Sequence, residues 1–374
     1  MSRFGGCMLG GIVALAFCAG ASEEASAPAG SGVLWEARTM AAQARQQLQA
    51  AVSAGRAGSV DAYRENEAKA NKMFEEARRL FEEAGGLSLE DAEALADFAG
   101  VLQSLNDSDL AADALRRAAR LQPDHAGLWL ALGRGLLTPL YRRPQEAEGA
   151  LKRAIEAGKG TPVEGEARAV LGRLYWDRAL TDFAEQEWAG ALEVSPDNVI
   201  AQIGMAALLA RRGEMVAASQ RVQQAAQASP EVLAIAAELI GKGLQDFERS
   251  GLWFEDTAEA HYAYASLLLR AGRYAESVAP LERTVKLAPE NHVAWNMLGS
   301  VCAQLGHTER AREAFKRSLE IEPAQERTRE ALKALSPAES PAGAEQEGGA
   351  QGGGEAGAAE PQGSGTGVSS GVSK

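Results

Sequence analysis

HVAWNMLGSVCAQLGHTERAREAFKRSLEIEP, residues 292–323, writes two short helices and a corner in one line. Trp295, Leu298, Gly299 and Cys302 fall on one helical face, and the Leu-Gly step places a large residue beside one with no side chain. The second half answers with Ala311, Phe315 and Ser318, small, large and small at spacings that again share a face. A small residue on the first helix lets the second approach closely. Gly306 lies between the halves, where a left-handed backbone suits glycine. Pro323 ends the line, because proline stops the helix behind it and biases the residue before it to an extended form.

The line recurs along the chain. Units begin near Ala92, Ala126, Gly165, Val199, Ala258 and His292, in steps of 34, 39, 34, 59 and 34, so two junctions carry insertions of 5 and 25 residues. First helices repeat the large-small step at Trp129-Leu132-Gly133-Leu136, Leu171-Gly172-Tyr175, Met205-Ala206-Leu209 and Tyr264-Ala265-Leu268. Second helices repeat the triplet at Ala111-Leu115-Ala118, Ala184-Trp188-Ala191 and Ala218-Val222-Ala225. Pro123, Pro196, Pro230 and Pro289 mark further corners, and Gly213 and Gly272 further turns. Self-similarity at this period is the signature of a solenoid, in which each unit touches only its neighbours and the stack buries one continuous core. Only 6% of residues are aromatic, and no run of alternating β-branched residues is long enough for a sheet. The fold class is therefore all-α.

Over residues 92–323 the pattern resembles the tetratricopeptide repeat family. That resemblance implies a right-handed superhelical solenoid of antiparallel helix pairs, a groove lined by the first helices, and binding of proteins rather than catalysis. The Ala126 unit departs from the family pattern, since Thr138-Pro139-Leu140 and Arg142-Arg143-Pro144 lengthen its turn and Gly158-Lys159-Gly160-Thr161-Pro162 its end. Some family members grip a C-terminal carboxylate with lysine and asparagine in the first helices. Here the matching places hold Ala96, Gly100, Leu130 and Arg134, so that clamp is absent.

The flanks extend the reading. Val33 to Ala54 and Val60 to Ala84 form two helices, taken over 33–86 as a degenerate first pair because Ala70-Phe74-Ala77 repeats the second-helix triplet. Ser88 with Asp91 reads as a capping box for the next helix. The 25-residue insertion, within 231–257, holds an apolar helix from Val232 to Leu244 and then Leu252-Trp253-Phe254, which serves either core packing or docking. Residues 325–335 read as a polar-faced capping helix with Leu332 and Leu335 inward, and 337–374, rich in Gly, Ala, Ser, Gln and Glu, as a disordered tail.

Residues 1–21 have the layout of a secretory signal peptide: Arg3, an apolar stretch from Met8 to Phe17, and Ala19-Gly20-Ala21 before Ser22. A second processing reading stands beside it, with lipidation at Cys18 after Leu15-Ala16-Phe17, although Phe17 is bulky where a lipoprotein site takes a small residue. Either way the expected location is exported, periplasmic or otherwise extracytoplasmic, with the membrane reached only through an N-terminal lipid. Cys7 and Cys18 fall in the signal, which leaves Cys302 alone in an apolar slot with no disulfide partner.

The chain contains no P-loop, dinucleotide fingerprint or serine elbow, and its four histidines, at 125, 261, 292 and 307, show no metal-binding spacing. No catalytic residue, cofactor or metal is expected, so the chain reads as a non-enzyme. The net charge is −13, and removing Arg3 with the signal leaves 37 basic against 51 acidic residues, which disfavours nucleic acid as a partner. Function then falls to the groove. Its candidate peptide-binding residues are Arg134, Arg173, Trp176, Arg211, Tyr262, Arg270 and Asn296, with Leu130, Ala169, Ile203, Ala207, Ser266, Leu269 and Ser300 beside them. Arg134 and Arg173 occupy equivalent places, and Arg211 and Arg270 lie one turn on, so they present basic spots to an extended acidic segment or else pair with Glu166 and Asp177. The expected role is a protein-protein interaction scaffold of the cell envelope that aids assembly of a complex; the alternative is an accessory, non-catalytic subunit of an envelope enzyme.

Overall fold

A computed structural model describes residues 31–138, 143–228 and 233–335 of the 374. The segment expected to be a signal, with Cys18, residues 139–142, Pro230 and the residues from 336 onward lie outside the described residues. Among the described residues there is no strand. The first pair is α1 (Ser31–Arg56) with α2 (Val60–Glu83), followed by a 3-10 turn at Gly86–Ser88. Four pairs come next: α3 (Ala92–Ser104) with α4 (Ser108–Leu121), α5 (Ala126–Gly135) with α6 (Pro144–Ala157), α7 (Pro162–Asp177) with α8 (Thr181–Val194), and α9 (Val199–Arg211) with α10 (Met215–Ala228). The insertion is α11 (Leu233–Ser250). Two pairs follow, α12 (Ala258–Arg270) with α13 (Tyr274–Leu287) and α14 (His292–Gln304) with α15 (Thr308–Ile321), and α16 (Glu326–Ala334) closes the stack.

The fold is an all-α solenoid. Each first helix packs on its own second helix, and each second helix packs on the next first helix: α2 on α3, α4 on α5, α6 on α7, α8 on α9, α10 on α12, α13 on α14 and α15 on α16. Helix α11 stands outside that line, because α10 meets α12 directly across the insertion.

Large residues of the second helices fill the space that small residues of the first leave open. A Cβ on Gly133 would stand 2.7 Å from Leu151, one on Gly172 2.6 Å from Trp188 and one on Gly299 2.6 Å from Phe315, all closer than packed carbons approach. Trp188 is fully buried between two glycines, Gly172 in its own pair and Gly204 in the next, and its Nε1 donates to the Ala169 carbonyl at 3.2 Å. The α6 triplet Ala147-Leu151-Ala154 and the α13 triplet Ser277-Leu281-Thr284 are buried in the same slots, although neither stood out in the sequence. Polar members there are satisfied locally: Ser277 donates to Tyr274 O, Thr284 to Pro280 O and Ser318 to His292 O.

Four corners are tied by a side chain six residues past the proline. The carbonyls of Pro123, Pro196, Pro289 and Pro323 accept from Trp129 Nε1, Gln202 Nε2, Trp295 Nε1 and Arg329 at 2.7, 2.7, 2.8 and 2.6 Å. Trp129 and Trp295 thus serve the corners as well as the core, which explains a residue with an N–H donor at that position. Within pairs, Gly213, Gly272 and Gly306 take φ of +85°, +74° and +79°, and the same turn position holds Asn106 and Ala179 at +61° and +59°.

The structure corrects several boundaries. Asp91 alone caps α3, accepting from Glu93 N and Ala94 N at 2.9 and 3.1 Å; Ser88 is carried off into the 3-10 turn by the positive φ of Gly85 and Gly86. Helix α7 begins at Pro162, three residues before Gly165, since proline is pre-set for the first helical position. Helix α11 runs to Ser250, past the expected Leu244, because Phe247 continues its apolar face.

The early start of α7 places Glu164 in the interior. Its carboxylate accepts from Gly160 N at 2.8 Å and Arg168 Nε at 2.9 Å, and these two bonds, the Gly160 amide foremost, hold its pKa below the ordinary value of 4.5. A depressed folded pKa contributes stability above the unfolded value, and that contribution is lost as pH falls through the folded one. Stability should therefore decline as acid is added below about pH 4.5, and Glu164→Gln should be less stable at pH 7 yet lose less between pH 5 and 3. Urea midpoints measured across that range check this, and parallel pH profiles for the two proteins would refute it.

Candidate functional site

The first helices present one column of residues, at four, eight and twelve positions past the repeat start, on the side away from their second helices. The column reads Ala96, Gly100, Ser104 on α3; Leu130, Arg134 on α5, with Thr138 in the turn after it; Ala169, Arg173, Asp177 on α7; Ile203, Ala207, Arg211 on α9; Tyr262, Ser266, Arg270 on α12; and Asn296, Ser300, Gln304 on α14. Burial along it is uneven. Ile203 and Ala207 are fully buried, Tyr262 and Ser266 half-buried, and Arg270, Ser300 and Gln304 exposed.

Helix α11 covers the column at α9. It packs along α9, with lighter contact to α12, and buries Ala236, Leu239, Ile240, Gly243, Leu244 and Phe247 on one face. Gly243 lies so close to the Ala207 carbonyl that no Cβ would fit between them. Polar groups tie α11 to α7, α9 and α12: Glu238 to Arg173 and Lys242 Nζ to the Trp176 carbonyl of α7, Asp246 to Arg211 of α9 at 3.6 Å, and Glu248, which accepts from the Tyr264 hydroxyl of α12 at 2.8 Å. The insertion therefore occupies the middle of the face that the sequence reading left open for a ligand.

This changes the standing of several candidate residues. Trp176 is buried, 5.8 Å from Trp188 between ring centres, with Lys242 Nζ 5.3 Å over its ring, so it lines no groove. Ala169, Ile203 and Ala207 are likewise interior, as is Leu130. Arg134 pairs with Glu166 at 2.8 Å, and Arg173 and Arg211 pair with carboxylates of α11, so these three are not free basic spots. Asn296 donates to Gln325 Oε1 at 3.2 Å and helps seat the capping helix. Arg270 is exposed and has no ion pair among the described residues. Tyr262 is half-buried, and burial raises its pKa.

The open part of the column is the α12–α14 stretch: Tyr262, Ser266, Arg270, Asn296, Ser300 and Gln304, with Leu269 and the 46% exposed Val293 beside them. A partly apolar surface carrying one unpaired guanidinium and several hydrogen-bonding side chains suits a peptide that brings a carboxylate and an apolar residue. Sequence reasoning missed Gln304, which follows once the column is counted in equal steps, and Val293, which lies one position past the repeat start and outside that count.

The Leu252-Trp253-Phe254 stretch divides between its two readings. Phe254 packs against Phe247, Tyr264 and His261, with ring centres 5.1–6.0 Å away, whereas Leu252 and Trp253 are 52% and 82% exposed. Cys302 is buried, and burial pushes its thiol pKa up, which makes it a core residue rather than a reactive one. Among the described residues there is no group of three or more side chains able to hold a metal ion, and no helix long and apolar enough to cross a membrane.

Residues 234–292 and 262–326 match the model of the tetratricopeptide repeat family. No curated protein matches the chain. Among solved structures, it is similar to YrrB, described as a TPR protein with an unusual peptide-binding site, at 16% identity over 68% of this chain and 96% of that one, with a TM-score of 0.26. It is also similar to a chain of the APC/C hetero-tetramer Cut9-Hcn1, at 12% identity over 81% of this chain and 55% of that one, with a TM-score of 0.39.

Proposed function

Because residues 234–326 match the tetratricopeptide repeat model, we infer a non-enzymatic scaffold that holds a protein partner on the inner face of its first helices. The observation that carries this reading is the α12–α14 stretch, where the column is exposed and Arg270 has no carboxylate partner among the described residues. The ligand is an extended segment or helix with an acidic residue for Arg270 and an apolar one for Val293, Leu269 and Tyr262. The charged groups of the face serve pairing and recognition, and the chain lends its partners a surface rather than a reaction.

A photo-crosslinking residue at Ser300 or Gln304 in the native host should trap a defined protein, and one at the outer-face Lys316 should not. With that partner purified, Arg270→Glu combined with Val293→Asp should weaken binding at least about tenfold, or roughly 1.4 kcal/mol, with no change in melting temperature. Equal trapping at both faces, or binding indifferent to the double substitution, refutes the assignment.

The compartment we propose is the cell envelope, where the scaffold aids assembly of a complex. Support comes from Arg3, the apolar Met8–Phe17 stretch and Ala19-Gly20-Ala21. The intact mass of the protein from its native host tests this: a chain starting at Ser22 is a soluble exported scaffold, and one starting at an acylated Cys18 is tethered to a membrane. An unprocessed mass removes the export proposal and leaves the binding face untouched.

A further inference from the structure

We propose that the inner face of α7 and α9 is a helix-binding site whose resident ligand is the chain's own α11, and that a partner helix of the same pattern binds there by taking its place. This deepens the scaffold reading, on which it rests, by naming the partner class and adding a second site.

Three observations carry it. First, the stack does not need α11 for continuity. The insertion lengthens one step from 34 to 59 residues, yet α10 packs directly on α12, as every other second helix packs on the next first helix. Second, α11 is built like a ligand laid in a groove. Its buried residues recur at positions 236, 239, 240, 243, 244 and 247, one stripe of an amphipathic helix, and Gln245 and Arg249 on its other side are exposed. Third, the receptor is charge-complementary to it. Arg173 and Arg211, on two different first helices, each meet an acidic residue eight positions apart on α11, Glu238 and Asp246. Receptor and ligand thus agree in shape, at the Gly243 approach to Ala207, and in charge.

The partner follows from that chemistry. It is an amphipathic helix with apolar residues at the spacing of Leu239, Ile240, Leu244 and Phe247, a glycine at the place of Gly243, and acidic residues facing Arg173 and Arg211. A basic or uniformly polar helix would leave Arg211 without its counter-charge and Arg173 with only Asp177, 4.0 Å away on its own helix, and would be rejected.

The test uses a fluorescent synthetic peptide of residues 233–250 and three full-length proteins: the wild type, Gly243→Val, and a deletion of residues 232–256 that restores the 34-residue step. Valine at 243 collides with the Ala207 carbonyl and frees α11 without altering the wall. By fluorescence anisotropy, the peptide should bind Gly243→Val and the deletion protein at least tenfold more tightly than the wild type. Arg173→Glu in the deletion protein should abolish that gain, and a Glu238→Arg peptide should restore it, a rescue that a merely sticky apolar surface would not show.

The proposal is overturned if the deletion protein keeps its helical circular dichroism and cooperative unfolding yet fails to bind the peptide. It is equally overturned if the wild type binds as well as the variants do, or if the charge swap gives no rescue. A deletion protein that does not fold refutes the claim that α11 is dispensable to the stack. None of these outcomes touches crosslinking at Ser300 and Gln304, so failure here leaves the α12–α14 reading standing.

Discussion

Trp188→Ala lowers the unfolding free energy by about 3–5 kcal/mol, the expected cost of removing a large side chain from a site that cannot collapse. The reason lies in its surroundings. Trp188 is fully buried, its indole fills the gap left by Gly172 on one side and Gly204 on the other, and its Nε1 holds the Ala169 carbonyl. Neither glycine has a side chain to move into the void, and the indole's hydrogen bond to the Ala169 carbonyl is lost with it. Units of a solenoid touch only their neighbours, so the loss should concentrate in α7 to α10. Hydrogen exchange resolved by helix should show those helices opening first, with α14 and α15 protected as in the wild type. A drop below about 1 kcal/mol, or uniform loss of protection, contradicts this account.

The mirror experiment is Gly204→Val. A Cβ at this position would collide with the Trp188 ring, and a valine adds two further methyl groups, so α8 and α9 must separate or the indole must leave its rotamer. Overpacking of this kind costs about 3 kcal/mol. Gly241→Ala is the control. It lies on α11 with its nearest neighbour, the Ala271 Cβ, 3.8 Å from the added carbon, an ordinary contact. Helix propensity alone should then make that variant more stable by about 0.5–1 kcal/mol. Urea midpoints for both variants decide the matter, and equal effects at the two glycines would show that close approach is not what selects glycine at 204.

Much of this was legible in the residues. The Leu-Gly step at 132–133 and 298–299 announced a close helix approach, and Leu151 and Phe315 supply the partners. The large second-helix residues Leu115, Trp188, Val222 and Phe315 are all in the core. The ends of helices were less legible. Asp91 and Pro162 compete with equally plausible starts nearby, and the choice turns on the positive φ of Gly85 and Gly86 and on a carboxylate finding the Gly160 amide.

The binding face was legible in position but not in state. Counting along the first helices places Arg173, Ala207 and Arg270 in one column, and that count is correct as geometry. Whether a column residue meets solvent depends on what lies over it. One local sign of a cover was present: VIAQIGMAALLAR, the whole of α9, is apolar nearly all round, and a helix with two apolar faces needs two partners.

The sequence by itself therefore determined the all-α repeat, its 34-residue step, the corners at proline and the identity of the residues that interlock across each pair. These are local consequences of spacing and side-chain size, repeated until they leave no alternative. Only the tertiary structure decided that α11 folds back over α9 while α10 and α12 close the stack behind it, and hence that the α12–α14 stretch is the open part of the column. The physical reason is that periodicity states how much apolar surface a helix must bury, whereas the helix that buries it is chosen by contacts between segments far apart in the chain.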